Sequence, residues 1–323
     1  MKRLGFVLVL ALMTAMFAFA VPAQATFPGS NGRITFGSDR YGTTGDPSNN
    51  THNIFTMDSE GHDIQRLTSL GSKAEGAALW SSWSPDGSRI VFTIRNEDQS
   101  VRQLYLMDAN GEHQHLLFSE PLGFTDFQPS FSPDGSHVIF SRCEFDQEWC
   151  AIYTVKTDGH GLTAITSPTQ NQRQDIFDNH PRYSPDGKTI AFESINRGGV
   201  IGAVYLSNAR GANIRRITPT GLEAFEPEWA PDGRSLVFSD NCCRFAENAL
   251  WSVAPDGSGR TQLTYPAGGH DSFASYSPDG SRIAFERDSA DGSTFSIVTM
   301  APNGGDLETI QATDAFYPNW GPG

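Results

Sequence analysis

Three aspartates, Asp126, Asp178 and Asp271, each stand six residues before a Ser-Pro-Asp-Gly tetrapeptide, and Glu223 and Asp314 stand one residue further back from two variants of it. His180, Glu226 and His270 fall close by in the same segments. Carboxylates gathered at one opening repel one another unless a cation or a basic group sits among them, so Ca²⁺ or an Arg or Lys side chain is the expected counterpart. Asp126, Asp178 and Asp271 are the candidate metal ligands, and all eight residues are candidate ligand-binding groups. Two histidines beside acids also suit a transition metal. On that alternative the chain is a metal-assisted lyase or hydrolase of an anionic polysaccharide, with His180 and His270 as ligands. No G-x-S-x-G elbow, H-E-x-x-H pair or phosphate loop occurs, so catalytic residues are not assigned.

The elements that must hold these residues are written in a repeat. The tetrapeptide prolines are Pro85, Pro133, Pro185, Pro231 and Pro278, at intervals of 48, 52, 46 and 47 residues, a period typical of propellers and solenoids. Pro fixes φ at the second turn position, Asp bonds nearby backbone, and Gly accepts positive φ. An aromatic residue precedes each turn (Trp83, Phe131, Tyr183, Trp229, Tyr276). Alternating second strands follow at Arg89–Thr93, His137–Ser141, Thr189–Glu193, Ser235–Ser239 and Arg282–Glu286. Third strands such as Leu104-Tyr105-Leu106-Met107, and fourth strands ending in Leu67-Thr68, Ile165-Thr166, Ile217-Thr218 or Leu263-Thr264, complete a four-stranded unit. The fragment Asn31–Phe36 lacks a first strand, and Pro318-Asn319-Trp320 supplies one. The chain is therefore expected to be all-β, a six-bladed β-propeller whose last blade joins N-terminal and C-terminal strands, which closes the ring and removes two free sheet edges.

In an up-and-down blade the tetrapeptide turns share one face with the third-to-fourth turns. The second-to-third loops and blade connections share the other, and binding residues concentrate on such long, variable loops.

Lys2 and Arg3, the apolar run Leu4 to Ala20 and Ala23-Gln24-Ala25 read as a cleaved signal peptide over residues 1–25, leaving 26–323 as the propeller. The apolar run is at the short end for spanning a bilayer, so export without stable membrane insertion is expected, in the periplasm or outside the cell. No Cys precedes Cys143 to carry a lipid. The formal charge is −14, and without Lys2 and Arg3 the chain has 21 basic against 37 acidic residues, or −16. That disfavours nucleic acid or anionic lipid as partners.

Four cysteines in an exported chain point to disulfides. Cys143 and Cys150 flank a second-to-third hairpin symmetrically and are the expected bridge. Cys242 and Cys243 occupy the corresponding loop two blades on, as a vicinal bridge or as thiols.

The tandem W/F/Y-S-P-D-G-x-x-I/V-x-F units resemble the WD40-like repeats of TolB-type propellers over nearly the whole mature chain. Similar repeats serve as the propeller part of prolyl-oligopeptidase-type enzymes and of some polysaccharide lyases. TolB itself is a periplasmic partner of a lipoprotein with an α/β domain before its propeller, a domain for which the ten or so residues between the leader and the first blade leave no room. The expected function is non-catalytic: a monomeric propeller binding a protein, peptide or glycan outside the cytoplasm, on its long-loop face and channel mouth.

Overall fold

The computed structural model describes residues 29–39, 52–70, 76–96, 101–119, 123–144, 149–167, 176–240, 248–311 and 313–323. The leader and Cys242 and Cys243 lie outside the described residues.

The chain is all-β and propeller-like. In chain order, β1 (Asn31–Ser38), β2 (Asn53–Met57) and β3 (Gln65–Arg66) are followed by β4 (Ala77–Trp83), β5 (Arg89–Arg95), β6 (Arg102–Asp108) and β7 (His115–Leu116). Next come β8 (Phe124–Phe131), β9 (His137–Glu144), β10 (Cys150–Lys156) and β11 (Thr163–Ala164), then β12 (Phe177–Tyr183), β13 (Thr189–Ile195), β14 (Ala203–Asn208) and β15 (Arg215–Arg216). The last are β16 (Ala224–Trp229), β17 (Leu236–Asp240), β18 (Ala249–Val253) and β19 (Thr261–Gln262), then β20 (His270–Tyr276), β21 (Ile283–Asp288), β22 (Phe295–Met300), β23 (Glu308–Gln311) and β24 (Phe316–Pro322). The second strands end one to three residues later than the sequence pattern predicts.

These strands pair into antiparallel four-strand units, each in sequence order except β24-β1-β2-β3; a single parallel bridge, Cys150 to Phe177, links the units β8–β11 and β12–β15. The sequence reason repeats from unit to unit. In the first turn, Ser84 Oγ donates to Asp86 Oδ1 at 2.6 Å and accepts from Arg89 N at 2.9 Å, while Gly87, at φ +68°, closes the turn with its N–H on Ser84 O. Four of the six fourth strands are followed by a threonine that caps the third: Thr68, Thr166, Thr218 and Thr264 accept the N–H of Ile54, Ile152, Val204 and Leu250 at 2.9–3.1 Å. One phenylalanine per unit, Phe36, Phe92, Phe140, Phe192, Phe238 and Phe285, is fully buried between neighbouring sheets.

β24 pairs with β1, with Trp320 opposite Ile34 and Asn319 opposite Thr35. It is bonded to the units on both sides: Trp320 N donates to Ser275 Oγ on β20, and Trp83 N on β4 donates to Asn319 Oδ1, each at 3.0 Å. Cys143 and Cys150, opposite each other on β9 and β10, form a disulfide. Among the described residues no helix is long and apolar enough to cross a membrane.

Candidate functional site

Every first strand carries a register shift three to five residues before its turn, at Leu79/Ser82, Phe127/Ser130, Asn179/Arg182, Phe225/Glu228 and Ser272/Ser275, and β24 carries one against Thr35/Gly37. Within each bulge one non-glycine residue is left-handed: Trp80, Gln128, His180, Glu226, Phe273 and Tyr317, all at φ between 48° and 56°. Such residues cost of order 1–3 kcal/mol each and persist only where surroundings impose them. For four of the six the surroundings include an acceptor from the preceding unit. His180 N donates to Gln128 Oε1 (3.1 Å), and Glu226 N donates to Glu193 Oε2 (2.9 Å). Phe273 N donates to Glu226 Oε2 and Tyr317 N to Glu286 Oε2, both at 2.9 Å.

These six side chains line one narrow cavity of about 30 Å³, room for a single water, with Arg182 and Glu228 beneath. A second tier of Ser82, Ser130, Arg182, Glu228, Ser275 and Asn319 lines a further pocket of the same size, where Arg182 Nε donates to Glu228 at 2.7 Å. Together the tiers form a channel walled by first-strand residues of every unit.

The upper tier is divided. Trp80, Phe273 and Tyr317 form an aromatic arc, with Trp80 to Tyr317 at 5.6 Å and Phe273 to Tyr317 at 4.4 Å between ring centroids. The opposite arc is polar. His180, 9% exposed, has Nδ1 3.1 Å from Glu193 Oε2, and its Nε2 has no hydrogen-bond partner among the described residues. Burial would raise Glu193, but the charge and bonding of His180 and the Glu226 N–H hold its carboxyl below the ordinary glutamate value. Burial pushes Glu226 up, reinforced by the charge of Glu193 and opposed by His180.

The acids expected to converge do something else. Asp126, Asp178 and Asp271 are fully buried, and each is held by an arginine of its own unit. Arg142 grips Asp126 through Nε (2.8 Å) and Nη2 (2.7 Å), and Arg287 grips Asp271 at 2.6 and 2.8 Å. Arg197 meets Asp178 at 3.3 and 2.5 Å, with Ser194 Oγ also donating. Strand register is the cause, since Asp126 faces Arg142 and Asp271 faces Arg287 across the sheet. The basic group anticipated among the carboxylates is thus internal. Among the described residues no three His, Cys, Asp or Glu side chains are grouped to hold a metal.

Glu223 is half-buried beside β16, while His270, the exposed first residue of β20, accepts the Asn248 N–H at 3.3 Å. His180 and His270 stand in different units. Asp314 lines a separate cleft of about 360 Å³ that opens among loop ends of the long-loop face. Its walls are Leu79, Trp80, Phe295, Phe316 and Tyr317, with Asp39, His52, Arg95, Glu286, Ser293 and Asp314 supplying polar groups. Burial lowers His52, and the charge of Arg95 acts in the same direction against Asp39. Burial raises Glu286 well above the ordinary value, and the neighbouring Asp288 and Glu226 charges add to it. Sequence reasoning missed Trp80, Gln128, Phe273 and Tyr317; counting back four residues from each turn, rather than six, finds the whole tier.

Comparison with known proteins agrees with this architecture. TolB from Acinetobacter baumannii superposes with a TM-score of 0.73 at 21% identity, covering 93% of this chain and 69% of that one. The putative TolB from Agrobacterium tumefaciens gives 0.64 at 20%, covering 91% and 100%. An oligogalacturonate lyase in complex with manganese gives 0.55 at 18%, covering 81% and 71%. At these identities the likeness is one of fold. The uncharacterized protein Atu1656 of Agrobacterium fabrum (strain C58) is 30% identical over 149 residues, 46% of this chain and 47% of that protein. Dipeptidyl-peptidase 5 of Porphyromonas gingivalis is 30% identical over 105 residues, 31% of this chain and 15% of the peptidase. The chain spans less than half the length of the curated relatives it matches. The family model for the TolB beta propeller domain matches residues 13–177 and 174–322, and the chain belongs to that family.

Proposed function

We propose that this chain is an exported, non-catalytic binding propeller, in which six blades close into a ring through β24 and β1 and a protein, peptide or glycan docks on the long-loop face. The observation that carries the reading is the 360 Å³ cleft, ligand-sized, aromatic-walled and rimmed by ionisable groups, on the face where the loops are longest. The pairing of β24 with β1 supports closure, and the residue pattern of the leader supports export. With Asp126, Asp178 and Asp271 engaged by arginines, recognition falls to the cleft and the channel tier it adjoins through Trp80 and Tyr317.

The test is a screen of peptide and glycan arrays with the mature protein, with Phe295→Arg in the cleft wall, and with Leu307→Arg on the short-turn face. Array signals lost in Phe295→Arg and kept in Leu307→Arg are expected. Signals indifferent to Phe295→Arg, or no signal on either array, would reject the cleft as the binding site.

A further inference from the structure

The wall of the channel tier is short of one positive charge. Arg182 holds Glu228 at 2.7 Å, and His180 Nδ1 stands 3.1 Å from Glu193 Oε2. Glu226 is left over. Its Oε2 accepts Phe273 N and Ser239 Oγ, both at 2.9 Å and both neutral donors. The charge of His180 acts on it, but the same histidine serves Glu193. Asp126, Asp178 and Asp271, by contrast, each have an arginine. A buried carboxyl that lacks its own cation is pushed up in pKa, as Glu226 is.

Two further observations place a ligand at this wall. His180, nine-tenths buried and lining the same cavity, leaves Nε2 without a hydrogen-bond partner among the described residues. Such a group is ordinarily satisfied by a water or a ligand. Across the cavity, Trp80 already has the Arg102 guanidinium 5.7 Å from its ring centre, whereas among the described residues no cation lies over Phe273 or Tyr317. Trp80, Glu226, Phe273 and Tyr317 are each partly exposed, so the tier is reached from solvent.

Size and chemistry narrow the ligand. The cavity of about 30 Å³ admits one heavy atom with its hydrogens. A primary ammonium has that size, donates to a carboxylate and is attracted to ring faces. A guanidinium or a trimethylammonium is too large for the same space. A divalent metal needs a full shell of oxygen ligands, which an arc of three rings does not supply. The excess of acidic over basic residues in the chain draws a basic partner.

We infer that the channel mouth receives a single primary ammonium group, the end of a lysine side chain, between Glu226 and the rings of Phe273 and Tyr317. Trp80 and Tyr317 wall cleft and channel alike, so a peptide lying in the cleft has a lysine within reach of the tier. The inference rests on the cleft reading for the body of the peptide and adds the side chain that the peptide must carry.

Calorimetric titration of the mature protein with Nα-acetyl-lysine amide, its norleucine and arginine counterparts, and norleucine amide with a free α-amine tests it. These compounds are too small to need the cleft, so they report on the channel whether or not an array finds a peptide. The lysine compound should bind at least about tenfold more tightly than acetyl-norleucine amide, the weight of a charge-assisted hydrogen bond, and more tightly than the arginine compound. Glu226→Gln should abolish that preference without lowering the melting temperature of the ligand-free protein. Phe273→Leu should weaken lysine binding more than norleucine binding, a difference that a purely structural role would not produce. Equal binding of lysine and norleucine compounds, a preference that survives Glu226→Gln, arginine bound as tightly as lysine, or no binding at millimolar concentration overturns the proposal. Norleucine amide bound through its free α-amine as tightly as the lysine compound would assign the pocket to a chain terminus and overturn the lysine. An array peptide that depends on Phe295 but not on a lysine or on Glu226 rejects the ammonium subsite and leaves the cleft standing.

Discussion

Asp126 is buried with both carboxylate oxygens on Arg142, so removing the arginine alone strands a charge in the protein interior. Arg142→Ala is expected to destabilise by about 3–5 kcal/mol. The double change Asp126→Leu with Arg142→Met should recover most of that in urea unfolding, and a double variant as unstable as the single one would contradict the ion-pair account. Glu226 makes the opposite case. Its folded pKa is raised by burial first, so folding favours the neutral acid. That contribution is complete below the unfolded value near 4.3 and is lost as pH rises through the folded pKa. Glu226→Gln keeps an acceptor for Phe273 N, as Gln128 does for His180 N in the equivalent position. Its melting temperature should exceed that of the parent at pH 8, with the advantage gone near pH 4. Neither residue's role was legible in sequence. The spacing singled out Asp126 as a ligand-binding group at a channel mouth, but the arginine that holds it lies on another strand, and register decides the pairing.

The turns are the elements most readable from the sequence, because their bonds are local. Burial would raise Asp134, but the Ser132 and Ser136 hydroxyls and the Ser136 N–H outweigh it and hold the carboxyl below the ordinary aspartate value. A depressed carboxylate stabilises above its unfolded pKa and loses that contribution as pH falls through its folded one. Asp134→Ala should cost about 1 kcal/mol at pH 7, the turn being open to solvent, and almost nothing below pH 3. A penalty that persists at low pH would mean that shape, not charge, is what matters there. The bulges show why the rest was hidden. Strict alternation predicts one face for each first strand, yet His180 and Glu226 adopt a left-handed backbone held by acceptors on other strands, and no local pattern announces that.

At the scale of the whole molecule the N-terminal strand depends on the C-terminal one. Deleting Tyr317–Gly323 removes most of β24, exposes the edge of β1 and takes away the bonds to Ser275 and from Trp83. Aggregation, or a melting temperature many degrees lower, is expected in gel filtration and calorimetry, and an unchanged melting temperature would argue against closure. The disulfide closes only a short loop, so Cys143→Ser with Cys150→Ser should cost roughly 2–3 kcal/mol in the chain-entropy picture. This level of organisation was the easiest to foresee, since the period, the orphan strand fragment at one end and its complement at the other are all spelled out in residue types. The arginine partners of Asp126, Asp178 and Asp271 were not, because the pairing across the sheet requires knowing the strand register.

The left-handed tier has a consequence for how such a protein can be diversified. Gln128, Glu193, Glu226 and Glu286 supply the acceptors that fix the next unit's backbone, so those side chains are wiring. Trp80, Phe273 and Tyr317 supply no such acceptor, Phe273 and Tyr317 have their conformation set from outside, and the three side chains are free to be exchanged for others of similar bulk. A library randomised at these three positions should keep the fold while changing what the channel presents, whereas one randomised at the acceptors should mostly fail to fold. The scaffold therefore offers drift and selection a half-ring of interchangeable parts set against a half-ring that is locked.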